Sequence, residues 1–267
     1  MRALIIYLVI SAVFIGCTPI LSIDASTQSV YHFSDTDKNI SLLDISETFG
    51  TYDGSFVLYD NNLDSWKIYD LEEATKRIPP ESTYKIYDAL LGLESGIITP
   101  EHSSMTWNGD AFPFPSWEAD QDLNSAMQNS VNWYFQAIDS QLGINRVQEF
   151  LNKIEYGNQT TSSNLDLYWS DFSLKISPLE QVTLLKKFNT NEFHLNSQNV
   201  FSVKNAIKIA STPNGNFYGK TGTGRVNGQD INGWFIGYVE TSDNSYYFAT
   251  NIQSDSNATG KKAFEIT

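Results

Sequence analysis

Pro79-Pro80-Glu81-Ser82-Thr83-Tyr84-Lys85-Ile86-Tyr87-Asp88-Ala89-Leu90-Leu91 is the stretch on which the reading of this chain turns. Two prolines exclude a helix interior but suit the approach to a helix, and the apolar residues after Lys85 recur at helical spacing. Ser82 therefore falls at a helix N-terminus. Lys85, three residues on, lies on the same face one turn away, within reach of the serine hydroxyl. A serine holds its proton and is a poor nucleophile alone, whereas a lysine kept neutral by burial or by neighbouring cations can take that proton. Ser82 as nucleophile and Lys85 as its base is the first expectation. S-x-x-K pairs also arise by chance on solvated helix faces, so the remaining sequence has to support the pairing.

Composition bounds the rest. With 267 residues, 41% hydrophobic and 13% aromatic, the chain buries a substantial core in one large domain or two intimate lobes. A formal net charge of −14 argues against nucleic acid or anionic lipid as the main partner, so an anionic ligand needs a local cluster of cations. Cys17 is the single cysteine and lies in the N-terminal apolar run, which leaves the body without a disulfide framework or a thiol nucleophile. His32, His102 and His194 are scattered without ligand spacing, and no metal site is expected.

Residues 1–23 carry an uncharged run from Ala3 to Ile23. It reads either as a lipoprotein signal ending before Cys17 or as a single membrane span. Both put the remainder on the membrane's outer side, and a cleaved, secreted form is the third reading. Residues 24–49 are polar and rich in Ser, Asp and Thr, and read as a linker. Asp35-Thr36-Asp37-Lys38-Asn39 opens like a calcium loop, but Ile40 and Ser46 stand where glycine and glutamate are needed. A domain is expected over 50–267. Two β-rich runs, Gly54–Asp60 and Trp66–Asp70, flank Asn61-Asn62 as a hairpin. Helical periodicity covers Asp122 to Leu142 and Val147 to Ile154. Phe217–Thr223, Gly233–Glu240 and Tyr246–Ile252 read as three strands with a turn at Asn227-Gly228. Strands at both ends with helices between predict an α+β fold, an antiparallel sheet flanked by helices plus a helical lobe.

Three further stretches decide the chemistry: Ser130-Val131-Asn132, Tyr156-Gly157-Asn158 followed by Tyr168-Trp169, and Lys220-Thr221-Gly222-Thr223-Gly224. Taken in the order S-x-x-K, S-x-N, Y-G-N, K-T-G, the chain resembles the penicilloyl-serine superfamily of penicillin-binding proteins and serine β-lactamases. Within it, Ser82-Thr83-Tyr84-Lys85-Ile86-Tyr87, Met105–Gly109, Asp122–Met127, Ser130–Tyr134 and Gly219–Gly224 are most similar to the sensor domain of BlaR/MecR-type β-lactam signal transducers, over roughly residues 50 to 267. Tyr156–Trp169 also resembles class D β-lactamases.

The resemblance implies a β-lactamase/transpeptidase-like fold and a catalytic set of Ser82, Lys85 and Ser130. Ser130 relays a proton to the lactam nitrogen, and the oxyanion sits between the N–H groups of Ser82 and Thr223. Asn132, Trp169, Lys220, Thr221, Gly222 and Thr223 are expected to bind substrate. Lys261 stands roughly where class D enzymes place a carboxylate-binding arginine, and Arg225 reads as a solvated turn residue. No cofactor is implied beyond a CO2-derived carbamate on Lys85, as class D enzymes carry. Asn132 replaces the small apolar residue usual in those hydrolases, and a carboxamide beside Lys85 favours loss of the carbamate. Glu180 is the only glutamate between 160 and 180, and it follows a turn rather than standing where class A enzymes hold theirs. The expected function is a β-lactam-binding sensor-type domain acylated on Ser82 with slow deacylation. The alternative is a class D β-lactamase that turns over, and a cell-wall D,D-peptidase is more distant. β-Lactam antibiotics, the membrane through the N-terminal segment and a membrane signalling partner are the expected partners. The last residues, Ala263-Phe264-Glu265-Ile266-Thr267, read as the opening of an amphipathic helix that the family continues, so the helix is expected to be truncated.

Overall fold

The computed structural model describes residues 39–267. The N-terminal run, most of the linker and the opening of the calcium-like stretch lie outside the described residues.

Among those residues the β-rich runs form one seven-stranded sheet. The strands are β1 (Ile40–Leu42), β2 (Asp53–Asp60), β3 (Ser65–Tyr69), β4 (Lys208–Thr212), β5 (Gly215–Val226), β6 (Gln229–Glu240) and β7 (Ser245–Gln253), in the order β1-β3-β2-β7-β6-β5-β4. Neighbours are antiparallel except β1, which runs parallel to β3. The early and late strands meet in mid-sheet, where β2 pairs with β7 from Asp53↔Gln253 to Asp60↔Tyr246. Asn227 and Gly228 have φ of 50° and 79°, the left-handed pair that a two-residue hairpin needs to follow strand twist. The expected Asn61-Asn62 turn is also present, with Asp60 Oδ1 accepting the N–H groups of Asn62 and Leu63.

Between the two strand sets lie α2 (Leu71–Thr75), α3 (Lys85–Glu94), α4 (Leu123–Gln128), α5 (Asn132–Leu142), α6 (Ile144–Ile154), α7 (Pro178–Asn189) and α8 (Ser197–Ala206). A short α1 (Ser46–Phe49) precedes β2, and α9 (Gly260–Ile266) follows β7. Alternation along β6 and β7 divides the core. Trp234, Ile236, Tyr247 and Ala249 face the large cluster that includes α7 and the helical lobe. Phe235, Phe248 and Ile252 face a smaller cluster with Phe49 and Ala263 under α1 and α9. The α+β architecture is the one read from the sequence.

Two expectations are corrected. The linker does not extend to residue 49: β1 joins the sheet, Leu43 N–H donates to the Ile68 carbonyl at 2.8 Å, and the buried Phe49 ring stacks 4.4 Å from Tyr69. A few apolar anchors outweigh a polar composition. The helical stretch 122–142 is also two helices, because Ser130 takes φ 55° and Val131 is extended. Periodicity does not register one residue leaving the helical region.

Candidate active site

A 3₁₀ turn, Glu81–Tyr84, leads directly into α3 and presents Ser82 and Lys85 on one side. Lys85 is fully buried, and its Nζ donates to Ser82 Oγ at 2.8 Å and to Asn132 Oδ1 at 2.7 Å. The rings of Phe135 and Trp169 each lie 5.6 Å from that nitrogen. Burial pushes the Lys85 amine down to about 7, against the opposing pull of Asp88 and Glu81. A sizeable fraction is therefore the free amine at neutral pH. Glu81 beside it is buried at φ 53°, and burial holds its carboxyl up at about 8, with the Asn232 amide donating to it at 3.3 Å.

The opposite wall comes from β5 and the bend between α4 and α5. Lys220 Nζ donates to Ser130 Oγ at 3.0 Å and to the Thr221 carbonyl at 2.9 Å. Burial, then the charge of Lys85, pushes the Lys220 amine well below its usual range. Gly222 is required for close approach: a Cβ there would stand 3.2 Å from the Pro80 carbonyl and 3.3 Å from the Ser82 nitrogen. Thr223 is tied from behind, its hydroxyl oxygen accepting the Gly260 N–H at 2.8 Å at the start of α9. That hydroxyl keeps its own proton to donate.

A cleft of about 330 Å³ opens over this arrangement. Ser82, Ser130, Asn132, Thr221, Gly222 and Thr223 line it, all of them expected from the sequence. A cavity of about 320 Å³ around Arg77, Glu180 and Lys187 is of similar size but is lined by no serine beside a lysine. The chemistry belongs to the Ser82 cleft.

Four assignments change. Trp169 does not line the cleft; it is 2% exposed and lies beneath it against Lys85, where it shapes the lysine's environment rather than touching a ligand. Lys261 is exposed on α9 and does not line the cleft either. Arg225 does, on β5 rather than in a turn, with its Nε 2.7 Å from Asp230 Oδ1. Tyr156-Gly157-Asn158 is a clasp: Asn158 receives the Lys175 N–H at 2.9 Å, donates to the Ser173 carbonyl at 2.7 Å, and so closes the base of the intervening loop. Glu180 is committed elsewhere, paired with buried Arg77 and capping α7 through Ser177. It has no part in the cleft.

Sequence reasoning missed Glu81 and Asp88, whose charges act on Lys85. Asp88 carried a signal, since it is the only carboxylate in the run Ile86–Leu93 and that run has no exposed position. Phe114 and Trp117, which line the cleft mouth, come from a loop without a motif.

Comparison with known proteins agrees with this geometry. Residues 50–267 match the penicillin binding protein transpeptidase domain. The chain is 45% identical over 266 residues to the regulatory protein BlaR1 of Bacillus licheniformis, covering 99% of this chain and 44% of that protein. It thus spans less than half the length of that relative. The solved C-terminal domain of the Bacillus licheniformis BlaR penicillin-receptor superposes with a TM-score of 0.83 at 46% identity, covering 88% of this chain and 95% of that one. A class D β-lactamase from Bacillus subtilis superposes with a TM-score of 0.78 at 34% identity, covering 88% and 94%.

Proposed function

The chain belongs to the penicillin-binding protein transpeptidase domain family, and on that premise we propose that it is a β-lactam-binding sensor-type domain that is acylated on Ser82 and releases the product slowly. The neutral Lys85 amine accepts the Ser82 proton as Oγ attacks the lactam carbonyl carbon. The tetrahedral oxyanion is held by the backbone N–H groups of Ser82 and Thr223, which the close approach at Gly222 brings to one side. As the carbon–nitrogen bond breaks, Ser130 gives its proton to the departing ring nitrogen and is reprotonated from the Lys220 side. Arg225 at the cleft supplies local positive charge for an anionic ligand on a chain of net charge −14, and the hydroxyls of Thr221 and Thr223 line the same wall as donors.

Deacylation needs a base for water. The observation that carries the slow-release reading is the 2.7 Å bond from Lys85 Nζ to Asn132 Oδ1, which together with Ser82 occupies the lysine as an amine. A carbamate on Lys85, the group that class D relatives imply, does not fit these partners, because Asn132 presents an acceptor oxygen to a nitrogen that would carry a carboxylate. Glu180 cannot substitute, being held by Arg77 and Ser177. The second reading, a class D β-lactamase that turns over, rests on the 34% identity to such an enzyme and on the same Ser82–Lys85 pair.

The domain is further proposed to face the outside of the cytoplasmic membrane, tethered through its N-terminal run and read by a membrane partner. Among the described residues no helix is long and apolar enough to cross a membrane. Labelling with a fluorescent penicillin tests the acylation step: one label per chain on the wild type and none on Ser82→Ala is the expected result. Equal labelling of both proteins would overturn it.

A further inference from the structure

Among the described residues that line the Ser82 cleft, only Arg225 and Asp230 carry charged side chains, because Lys85 and Lys220 are buried behind their serines. Thr221, Thr223 and Arg225 alternate along β5 and so share one face of the strand. A bulge brings the carboxylate opposite the arginine: the register passes from Gly224↔Asn232 to Arg225↔Asp230, so β6 carries one extra residue, Ile231. In an uninterrupted ladder Arg225 would face Ile231 instead. The pair is bidentate, with Nε donating to Oδ1 at 2.7 Å and Nη2 to Oδ2 at 3.2 Å. It is also lopsided. The Asp230 side chain is 20% exposed with both oxygens engaged, whereas that of Arg225 is 60% exposed and its Nη1 has no partner among the described residues. The side open to a ligand is therefore the guanidinium.

The proton transfers fix which way a β-lactam lies in this cleft. Ser82 Oγ meets the carbonyl carbon and Ser130 faces the ring nitrogen, so the ring carbon on the carbonyl's other side, which bears the acylamino side chain, points away from Ser130. Three markers give the direction along β5. Ser130 stands at Lys220, 3.0 Å away, the Ser82 nitrogen stands beside Gly222, and Arg225 lies further on, roughly 16 Å of strand from Lys220. The ring carboxylate, attached next to the nitrogen, stays at the Lys220 end, and the side chain runs toward Arg225. We infer that Arg225, held over the cleft by Asp230, is a specificity-determining residue that favours β-lactams with an anionic side chain over those with a cationic one. The inference rests on the acyl-serine reading of the site and adds a substrate class to it. An arriving carboxylate finds free guanidinium donors, while an ammonium meets a like charge and a carboxylate whose oxygens are already engaged. The other charges nearby do not discriminate between side chains. Lys85 and Lys220 lie behind Ser82 and Ser130, and the buried Glu81 carboxyl sits beneath Gly224, whose missing Cβ leaves it room.

Three penicillins that differ only at the side chain's α-carbon supply the test: benzylpenicillin carries hydrogen there, ampicillin an ammonium and carbenicillin a carboxylate. Second-order rate constants for acylation of Ser82 are measured at about pH 6.5, where both substituents are charged, and at low salt. The readout is the carbenicillin-to-ampicillin ratio, which a general loss of activity does not move. On the wild type it should be about 10, with benzylpenicillin between the two, and it should shrink toward one in roughly 0.5 M salt, as a partly exposed charge interaction does. Arg225→Gln leaves Asp230 unpaired and should carry the ratio below one, Arg225→Lys should keep it above one, and the double variant Arg225→Gln/Asp230→Asn should bring it close to one. A wild-type ratio of one or less, a ratio that ignores salt, or a ratio that survives Arg225→Gln overturns the inference. The salt series needs only the wild type, so it decides even where a variant fails to fold. Absence of acylation by all three penicillins would instead sink the acyl-serine reading and this inference with it, whereas equal acylation by all three would sink the inference alone.

Discussion

Two lysine–serine pairs face each other across the cleft, and they are built from different materials. On the floor, Lys85 reaches Ser82 at 2.8 Å within one turn of chain. On the wall, Lys220 reaches Ser130 at 3.0 Å across 90 residues, and the contact exists only because Ser130 leaves the helical region between α4 and α5. The floor pair is enclosed by rings and by the carboxyls of Glu81 and Asp88, while the wall lysine's other partner is the carbonyl of Thr221. Both amines are held below their usual range by burial, and the charge of the floor lysine further opposes protonation of the wall lysine. The lesson is a division of labour. The local pair is tuned by its surroundings to move one proton, and the long-range pair is a position, set by topology, from which a proton is passed on.

Removing the floor lysine is the largest test of that division. Lys85→Met, similar in volume, should slow acylation at least ~1000-fold, as expected when an activating base is lost. The same variant should be more stable than wild type near pH 6. The sign follows from the depressed amine. The unfolded lysine is protonated below 10.5 and the folded one only below about 7, so a folding cost grows as pH falls through that window and is full below it. Replacement relieves a cost of a few kcal/mol, offset in part by the two lost hydrogen bonds. Thermal unfolding at pH 6 and at pH 10 checks this, and a stability difference that ignores pH would break the account of the floor.

Ser130→Ala should slow acylation by about 100-fold and leave the lifetime of the adduct unchanged, because the wall passes a proton only as the lactam opens. A loss as large as that from Lys85→Met would erase the distinction between the pairs. Glu81→Gln is the smallest change in chemistry and sharpens the floor alone. Burial raises the Glu81 carboxyl from 4.5 to about 8, so the folded protein loses stability as pH rises through that interval. The variant should gain on the order of 3 kcal/mol over wild type at pH 8.5 relative to pH 4.5. Parallel stability curves for the two proteins would contradict this.

The floor was legible in the sequence because its spacing is local: Ser82 and Lys85 need only one helical turn to meet. The β5–β6 hairpin was legible for the same reason, since Asn227-Gly228 carries its own backbone preference. The wall was legible only by resemblance. Nothing near Ser130 announces the left-handed bend, which lies where α4 and α5 both pack against α3. Trp169 was assigned to the ligand because aromatic residues suit both a cleft and a core, and only packing separates the two. Arg225 was placed in a turn because β5 runs further than its apolar alternation, to Val226. β1 was lost in a polar stretch because a three-residue strand at a sheet edge needs few apolar residues. Asp139 on α5 accepts the hydroxyl of Tyr168, 29 residues away, and no spacing rule connects them.

The central claim is that chemistry stops at the acyl-serine. Intact-mass spectrometry after stoichiometric penicillin addition, followed over hours with assay of the hydrolysed drug in solution, measures it directly. The account predicts one adduct per chain on Ser82 that persists while free hydrolysed drug stays below one equivalent. Return of the unmodified mass with many equivalents of hydrolysed drug would contradict it, and would make this cleft that of a β-lactamase.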